Sequence, residues 1–310
     1  MSVFDVIGVV KYGSMVLQAS TVRFEKNSKL VLAPSEKNMY PPKSLTIIAD
    51  KIEVVDRAEI TYDFDGLPGF DPDTPSPAQM GAVGNGGNGS SVPGEGSYPQ
   101  ATDGGSGHPG PTGVKGINGQ DAPELQIFVG NIVQIHSDAI KVNFKGQDGG
   151  KGGKGGNGGK GGDGQQGAAS QASDSWYDGD QCDREPGKGG NGGRGGDAGF
   201  PGKGGAGGNG GVIKVFAKAA SLPAAQGWIY VIKGGKGGDP GDPGSKGAGG
   251  KGGPQGTKND PCPERSEYSG SKGPDGQSID DVDSNWQTTY KGKDGADGES
   301  NTYELTGVPN

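Results

Sequence analysis

The sequence predicts an all-β, fibrous fold: a β-solenoid-like base of short strands carrying bundled polyglycine-II helices arranged as hairpins. Three observations predict it. Gly and Pro supply 68 and 22 of 310 residues, about 29%, a level that marks low complexity or a period-three design. Gly recurs at every third position from Gly104 to Gly119, Gly146 to Gly167, Gly187 to Gly211 and Gly235 to Gly256. Between these blocks lie short apolar pieces with strand-like alternation.

The period decides among the possible uses of so much glycine. Three residues per turn is neither the α-helical nor the strand repeat but that of the polyproline-II family, which makes no internal hydrogen bonds. Where a second triplet position is also Gly, as in "GGNGGRGG", two faces of the helix are bare and one carries Lys, Asn, Arg or Asp. Neighbouring backbones can then approach on the bare faces and satisfy each other's N–H and C=O groups. A disordered linker and a collagen-like trimer remain the alternatives. Collagen favours Pro at the other two positions, and Gly146 to Gly167 contains none.

Only 29% of residues are hydrophobic, so apolar surface is expected in small patches. The pieces Leu45 to Tyr62, Leu125 to Phe144 and Val212 to Ile232 align through Leu45, Leu125 and Ile213, with a partial copy at Ser20 to Pro34. The expected organisation is an N-terminal β cap (1–44), three repeats of strands plus a Gly-rich hairpin (45–124, 125–211, 212–301), and a terminal strand or start of a further repeat (302–310). At about 3.1 Å per residue, each limb of the second hairpin reaches some 70 Å, so the connecting loops gather at one distal end.

Those loops carry the least repetitive chemistry: Ser90 to Asp103, Ala168 to Pro186 and Thr257 to Ser269. Exposed aromatics among polar groups on a stiff support are a usual recognition surface. The expected ligand-binding residues are Tyr98, Trp176, Tyr177, Asp180, Glu264, Arg265 and Tyr268; the competing role for Trp176 and Tyr177 is to plug the bundle end. Cys182 and Cys262 sit at equivalent places in adjacent loops, so the pair is read either as a disulfide, implying an oxidising environment, or as two free thiols. Asp174, Asp178, Asp180 and Asp183 form an acidic cluster that could hold Ca²⁺, although it lacks EF-hand order. No other cofactor is expected. "GGKGGD" and "GGRGGD" match the start of a calcium-binding nonapeptide at Gly158 to Asp163, Gly192 to Asp197 and Gly234 to Asp239, without its hydrophobic place or tandem copies.

Charge and catalytic inventory narrow the function. The net charge of −8 and the absence of aromatics interleaved with the Lys and Arg lines argue against nucleic acid. No apolar run approaches 18 residues, so no membrane insertion is expected, and "MSVFDVIGVVKYGS" lacks a conventional export leader. Two histidines, His108 and His136, with His136 read as a strand residue, and two cysteines leave little for an enzyme.

The Gly-Gly-X blocks joined by variable polar loops resemble the polyglycine-II sandwich adhesins at the tips of bacteriophage long tail fibres, and are similar to large Gly-rich bacterial repeat proteins. The resemblance covers roughly Gly66 to Gly298 and rests on composition. It implies a non-enzymatic scaffold whose distal loops bind a cell-surface protein or glycan, in an extracellular, cell-surface or virion setting. The alternative is a structural component of a bacterial surface assembly, filament or larger secreted protein, whose partners are other copies of itself. Ice binding is a third reading, by likeness to a glycine-rich antifreeze protein.

Overall fold

The computed structural model describes residues 2–33, 43–64, 101–173 and 179–306. Thirteen strands are formed among them: β1 (Val3–Val6), β2 (Val9–Tyr12), β3 (Val16–Phe24), β4 (Ser28–Leu32), β5 (Ser44–Val54), β6 (Ala58–Tyr62), β7 (Glu124–Gln134), β8 (Ile140–Asn143), β9 (Gln171–Ser173), β10 (Gln181–Arg184), β11 (Val212–Ala217), β12 (Ile229–Val231) and β13 (Glu299–Glu304). Short helices are α1 (Leu222–Gln226), α2 (Ile279–Val282) and α3 (Trp286–Thr289), with 3₁₀ turns at Ala219–Ser221 and Ser266–Tyr268.

The expected all-β, solenoid-based fibrous class is therefore corrected. The chain is a mixed α/β fold with two parallel sheets, six strands in the order β1-β3-β5-β7-β11-β13 and five in the order β12-β8-β6-β4-β2, plus the β9–β10 ribbon and a few helices. The physical reason is local. The piece Val212 to Ile232 does not stay extended, because the Ala-rich "LPAAQ" starts a helix with Pro223 in its first turn, where a missing N–H costs nothing. Ser278 and Asp281 form a reciprocal capping box that opens α2 between two Gly-rich runs. His136 lies in a bend after β7 rather than in a strand.

Register follows side-chain alternation. Leu45 pairs with Leu125, and Leu125 with Ile213, the three positions the sequence alignment equates. Inward residues Val22, Phe24, Ile47, Ile52, Leu125, Ile127, Ile213 and Val215 of the six-stranded sheet meet Leu30, Ile60, Ile140 and Val142 of the other in one core. Each such residue contributes about 1.5–3 kcal/mol by leaving water. The alternate residues of the six-stranded sheet face outward, where Phe128, Phe216 and Tyr303 stack at 4.6 and 5.0 Å.

The Gly-rich segments 101–122, 146–167, 187–211, 234–256, 270–277 and 290–298 lie side by side, bonded through their backbones. In 146–167, the amides of Gly158, Gly161 and Gly164 donate to Ser245, Ala248 and Lys251 of 234–256, while those of Gly159 and Gly162 donate to His108 and Gly105 of 101–122. At several triplets the third amide is satisfied by a side chain of the neighbouring segment. Asp163 Oδ1 accepts from Lys251 N–H at 2.8 Å, Asn157 from Ser245 at 2.9 Å, Asn191 from Ser271 at 3.0 Å and Asp197 from Gln277 at 2.7 Å. Basic residues three positions earlier then pair with the same carboxylates, as in Lys160–Asp163 and Arg194–Asp197. Asp163 and Asp197, the final residues of two nonapeptide-like stretches, are thus engaged with backbone amides and basic partners.

The lattice has an edge. Asn191 bonds the amide of Ser271, so Gly192 corresponds to Lys272; by the same rule Gly207 corresponds to Asp294 and Gly210 to Asp297. Gly192 has no room for a side chain, because a Cβ there would collide with the Gly250 backbone. At the edge the side chains turn back: Asp275, Asp294 and Asp297 accept from the amides of Gly249, Gly237 and Gly234 at 2.9, 2.7 and 3.0 Å. Pro240 and Pro243 occupy the places corresponding to Gly152 and Gly155, whose amides donate laterally in the interior segment; proline has no such donor.

Candidate functional site at the disulfide-tied tip

The second Gly-rich hairpin turns over through β9 and β10, an antiparallel ribbon with a bulge between Cys182 and Arg184. Cys182 is bonded to Cys262 in the loop of the next hairpin, 80 residues on. Closing a loop of that length is worth about 4.5 kcal/mol on the chain-entropy model. Cys262 is 1% exposed, and its Sγ lies 3.4 Å from the carbonyl oxygens of Gln171 and Arg184. Further ties join the two loops: Asn259 N–H donates to Ser170 Oγ at 2.6 Å, its side-chain amide donates to the Ser170 carbonyl at 2.7 Å, and Ser170 N–H donates to the Thr257 carbonyl.

Beside the disulfide sits a cluster of three side chains from both loops. Arg265 donates to both carboxylate oxygens of Glu185, from Nη2 at 2.8 Å and from Nε at 3.2 Å, while Tyr268 Oη donates to Oε2 at 3.3 Å. The 3₁₀ turn Ser266–Tyr268 presents Tyr268, and Gln255 Oε1 anchors the Arg265 backbone N–H at 2.9 Å. Lys188 Nζ stands 5.2 Å from the Tyr268 ring centroid. The Arg265 guanidinium, helped by the Tyr268 hydroxyl, holds the Glu185 carboxyl below its ordinary range. Desolvation first, then the neighbouring Glu185 charge, raises the Tyr268 phenol. A paired carboxylate and a protonated phenol suit polar recognition.

Of the sequence-predicted residues, Arg265 and Tyr268 meet in this cluster, Glu264 and Asp180 are exposed on the same loops, and Cys182 and Cys262 are joined. Tyr98, Trp176 and Tyr177, with Asp174 and Asp178 of the suggested Ca²⁺ cluster, lie outside the described residues. Asp183 accepts from Ser173 Oγ at 2.9 Å. Among the described residues no three His, Cys, Asp or Glu side chains converge as a metal site. Also among them, no helix is long and apolar enough to cross a membrane.

Sequence reasoning left Glu185, which lies 80 residues before Arg265, out of the binding set. It also missed Trp286, which stands with Gln287 and Thr288 in the helical insertion 278–290 that interrupts the outer Gly-rich run. A Trp inside a non-glycine interval between two Gly runs was the signal. No family model, curated protein or solved structure matches the chain.

Proposed function

We propose that the protein is a non-enzymatic scaffold that displays its tip loops for recognition of a cell-surface protein or glycan. The observation that carries this reading is the tip itself: two loops tied by Cys182–Cys262 and organised around Glu185, Arg265 and Tyr268. Pre-organised loops lose little entropy on binding, and Tyr and Arg are the residues that most often dominate recognition. The disulfide fits an oxidising, extracellular setting. Capping of the bundle edge by Asp side chains and prolines weighs against the structural-assembly alternative, since lateral growth of a glycine lattice needs free donors there.

The test is binding of the purified, non-reduced chain to candidate host cells and to glycans. The triple variant Trp176→Ala, Tyr177→Ala, Tyr268→Ala should lose most binding while keeping the parent's melting temperature within a few degrees. Unchanged binding by that variant would sink the reading, as would concentration-dependent ordered assembly that proceeds without the tip loops.

A further inference from the structure

A second concave surface lies on the side of the Gly-rich bundle, away from the tip cluster. It is a groove of about 630 Å³, with Trp286, Gln287 and Lys291 on one wall and Lys151, Asp239 and Asp242 on the other. The outer Gly-rich run stops at Gln277 and resumes at Tyr290, and in the interval α3 brings Trp286, Gln287 and Thr288 beside Asp239, Pro240, Gly241 and Asp242. A second hollow of about 540 Å³ continues it along the segment, sharing Lys151, Asp239 and Lys291. The indole is half-buried, and its Nε1–H donates to Asp280 Oδ1 at 2.9 Å, which fixes the plane of the ring.

We propose that this groove binds a neutral oligosaccharide. The chemistry is that of a sugar site: an aromatic ring for the C–H face of a pyranose, with carboxylates, an amide and ammonium groups for its hydroxyls. Charge selects a neutral ligand. Lys151 and Lys291 are matched by Asp239 and Asp242, and Lys151 Nζ lies 3.6 Å from Asp242 Oδ2, so a polyanion would meet two carboxylates and a polycation two ammonium groups. The lining is too polar for an apolar peptide segment. The Asp242 side chain is 70% exposed and so is available to accept from a hydroxyl at no unfolding cost. The continuation into the second hollow favours a chain of sugar units over a single residue. This site is independent of the tip cluster and stands whether or not that cluster binds anything.

The test uses the whole, non-reduced chain against four neutral series, oligomers of β-1,4-glucose, α-1,4-glucose, α-mannose and β-galactose, with an oligouronate as the charged comparison. Saturation-transfer NMR and direct titration are the readouts. At least one neutral series should bind saturably, and Trp286→Ala and Asp242→Ala should each weaken it by about tenfold or more, while Arg265→Ala/Tyr268→Ala leaves it unchanged. Asp242→Ala covers the case in which loss of the indole unravels α3. The proposal would be overturned if no neutral series bound, if only the oligouronate bound, or if binding survived both groove variants. Binding abolished by the tip variant alone would overturn it too, while strengthening the role of the tip.

Discussion

Segments 187–211 and 270–298 run alongside each other and share hydrogen bonds, yet their sequences differ at one triplet phase. In the inner segment that phase reads Gly192, Gly195, Gly204, Gly207 and Gly210, with Ala198 and Pro201 where the outer run is interrupted by the helical insertion; in the outer one it reads Lys272, Asp275, Lys291, Asp294 and Asp297. The glycines of the inner phase face another backbone at a distance that excludes a Cβ, whereas the outer phase carries long side chains at the equivalent places. The difference teaches that glycine in this chain is a contact residue whose partner is another backbone. Where the partner ends, the glycine ends, and side chains that cap the remaining amides replace it.

The strongest break of that comparison is to put a methyl on an inner position. A Cβ at Gly207 would run into the Gly235 backbone, which belongs to a hydrogen-bonded neighbour and cannot rotate aside. Gly207→Ala should cost about 3 kcal/mol or more, in the range of overpacking with backbone shifts, read as a lower urea midpoint at unchanged slope. Asp294→Ala, at the corresponding phase of the outer segment, removes a cap and adds no clash. Its cost should be near 1 kcal/mol. Equal losses in the two variants would mean that the packing difference does not govern the pattern.

Next in size is the joint removal of the edge caps. Asp275→Ala, Asp294→Ala and Asp297→Ala free the amides of Gly249, Gly237 and Gly234. At about 0.5–2 kcal/mol per cap, the triple variant should melt several degrees lower and, with its donors uncovered, self-associate in sedimentation velocity at concentrations where the parent stays unchanged. Acid should act on the same groups. The Gly249 amide, then Lys272, depresses the Asp275 carboxyl, and Lys233, then the Gly234 amide, depresses that of Asp297. Such groups add stability above the ordinary aspartate range, near 3.8, and lose it as pH falls through their lower folded values. Melting temperature should therefore drop on the acid side of that range, and Asp275→Asn should flatten the drop.

How much of this was legible beforehand follows from the kind of contact involved. The three-residue spacing and the equivalence of Leu45, Leu125 and Ile213 are periodic, and a period survives in sequence. The fold class was misread, because "LPAAQ" and "SIDD" are short helix signals embedded in apolar and Gly-rich surroundings, where the longer pattern masks them. Arg265 and Tyr268 could be named as tip residues from their loop. Their convergence on Glu185 could not, because it depends on how two loops 80 residues apart dock. The Asp and Asn caps looked like a solvated face or a calcium motif, since the amide each one serves belongs to another segment, from 26 residues away at Asp275 to 88 at Asp163.

The smallest expected effect separates the two jobs of the polar line. Asp163 accepts from the Lys251 amide and from Lys160 Nζ; the first is the larger cause of its lowered titration range. Both side chains of the Lys160–Asp163 pair are about half exposed, at 49% and 46%. An ion pair so open to water is worth at most about 0.5 kcal/mol at this spacing, whereas losing a cap leaves a backbone donor to find water. Lys160→Ala should thus move the melting temperature by a degree or less, and the shift should vanish at about 0.5 M salt, where screening reaches only a few ångströms. Asp163→Ala should cost more at every salt concentration. Asp163→Asn, which keeps the acceptor and drops the charge, should lie close to Lys160→Ala, as Asn157 and Asn191 already do the same work without a charge. If Asp163→Asn instead matched Asp163→Ala, the ion pair rather than the backbone cap would be what holds the decorated face in register.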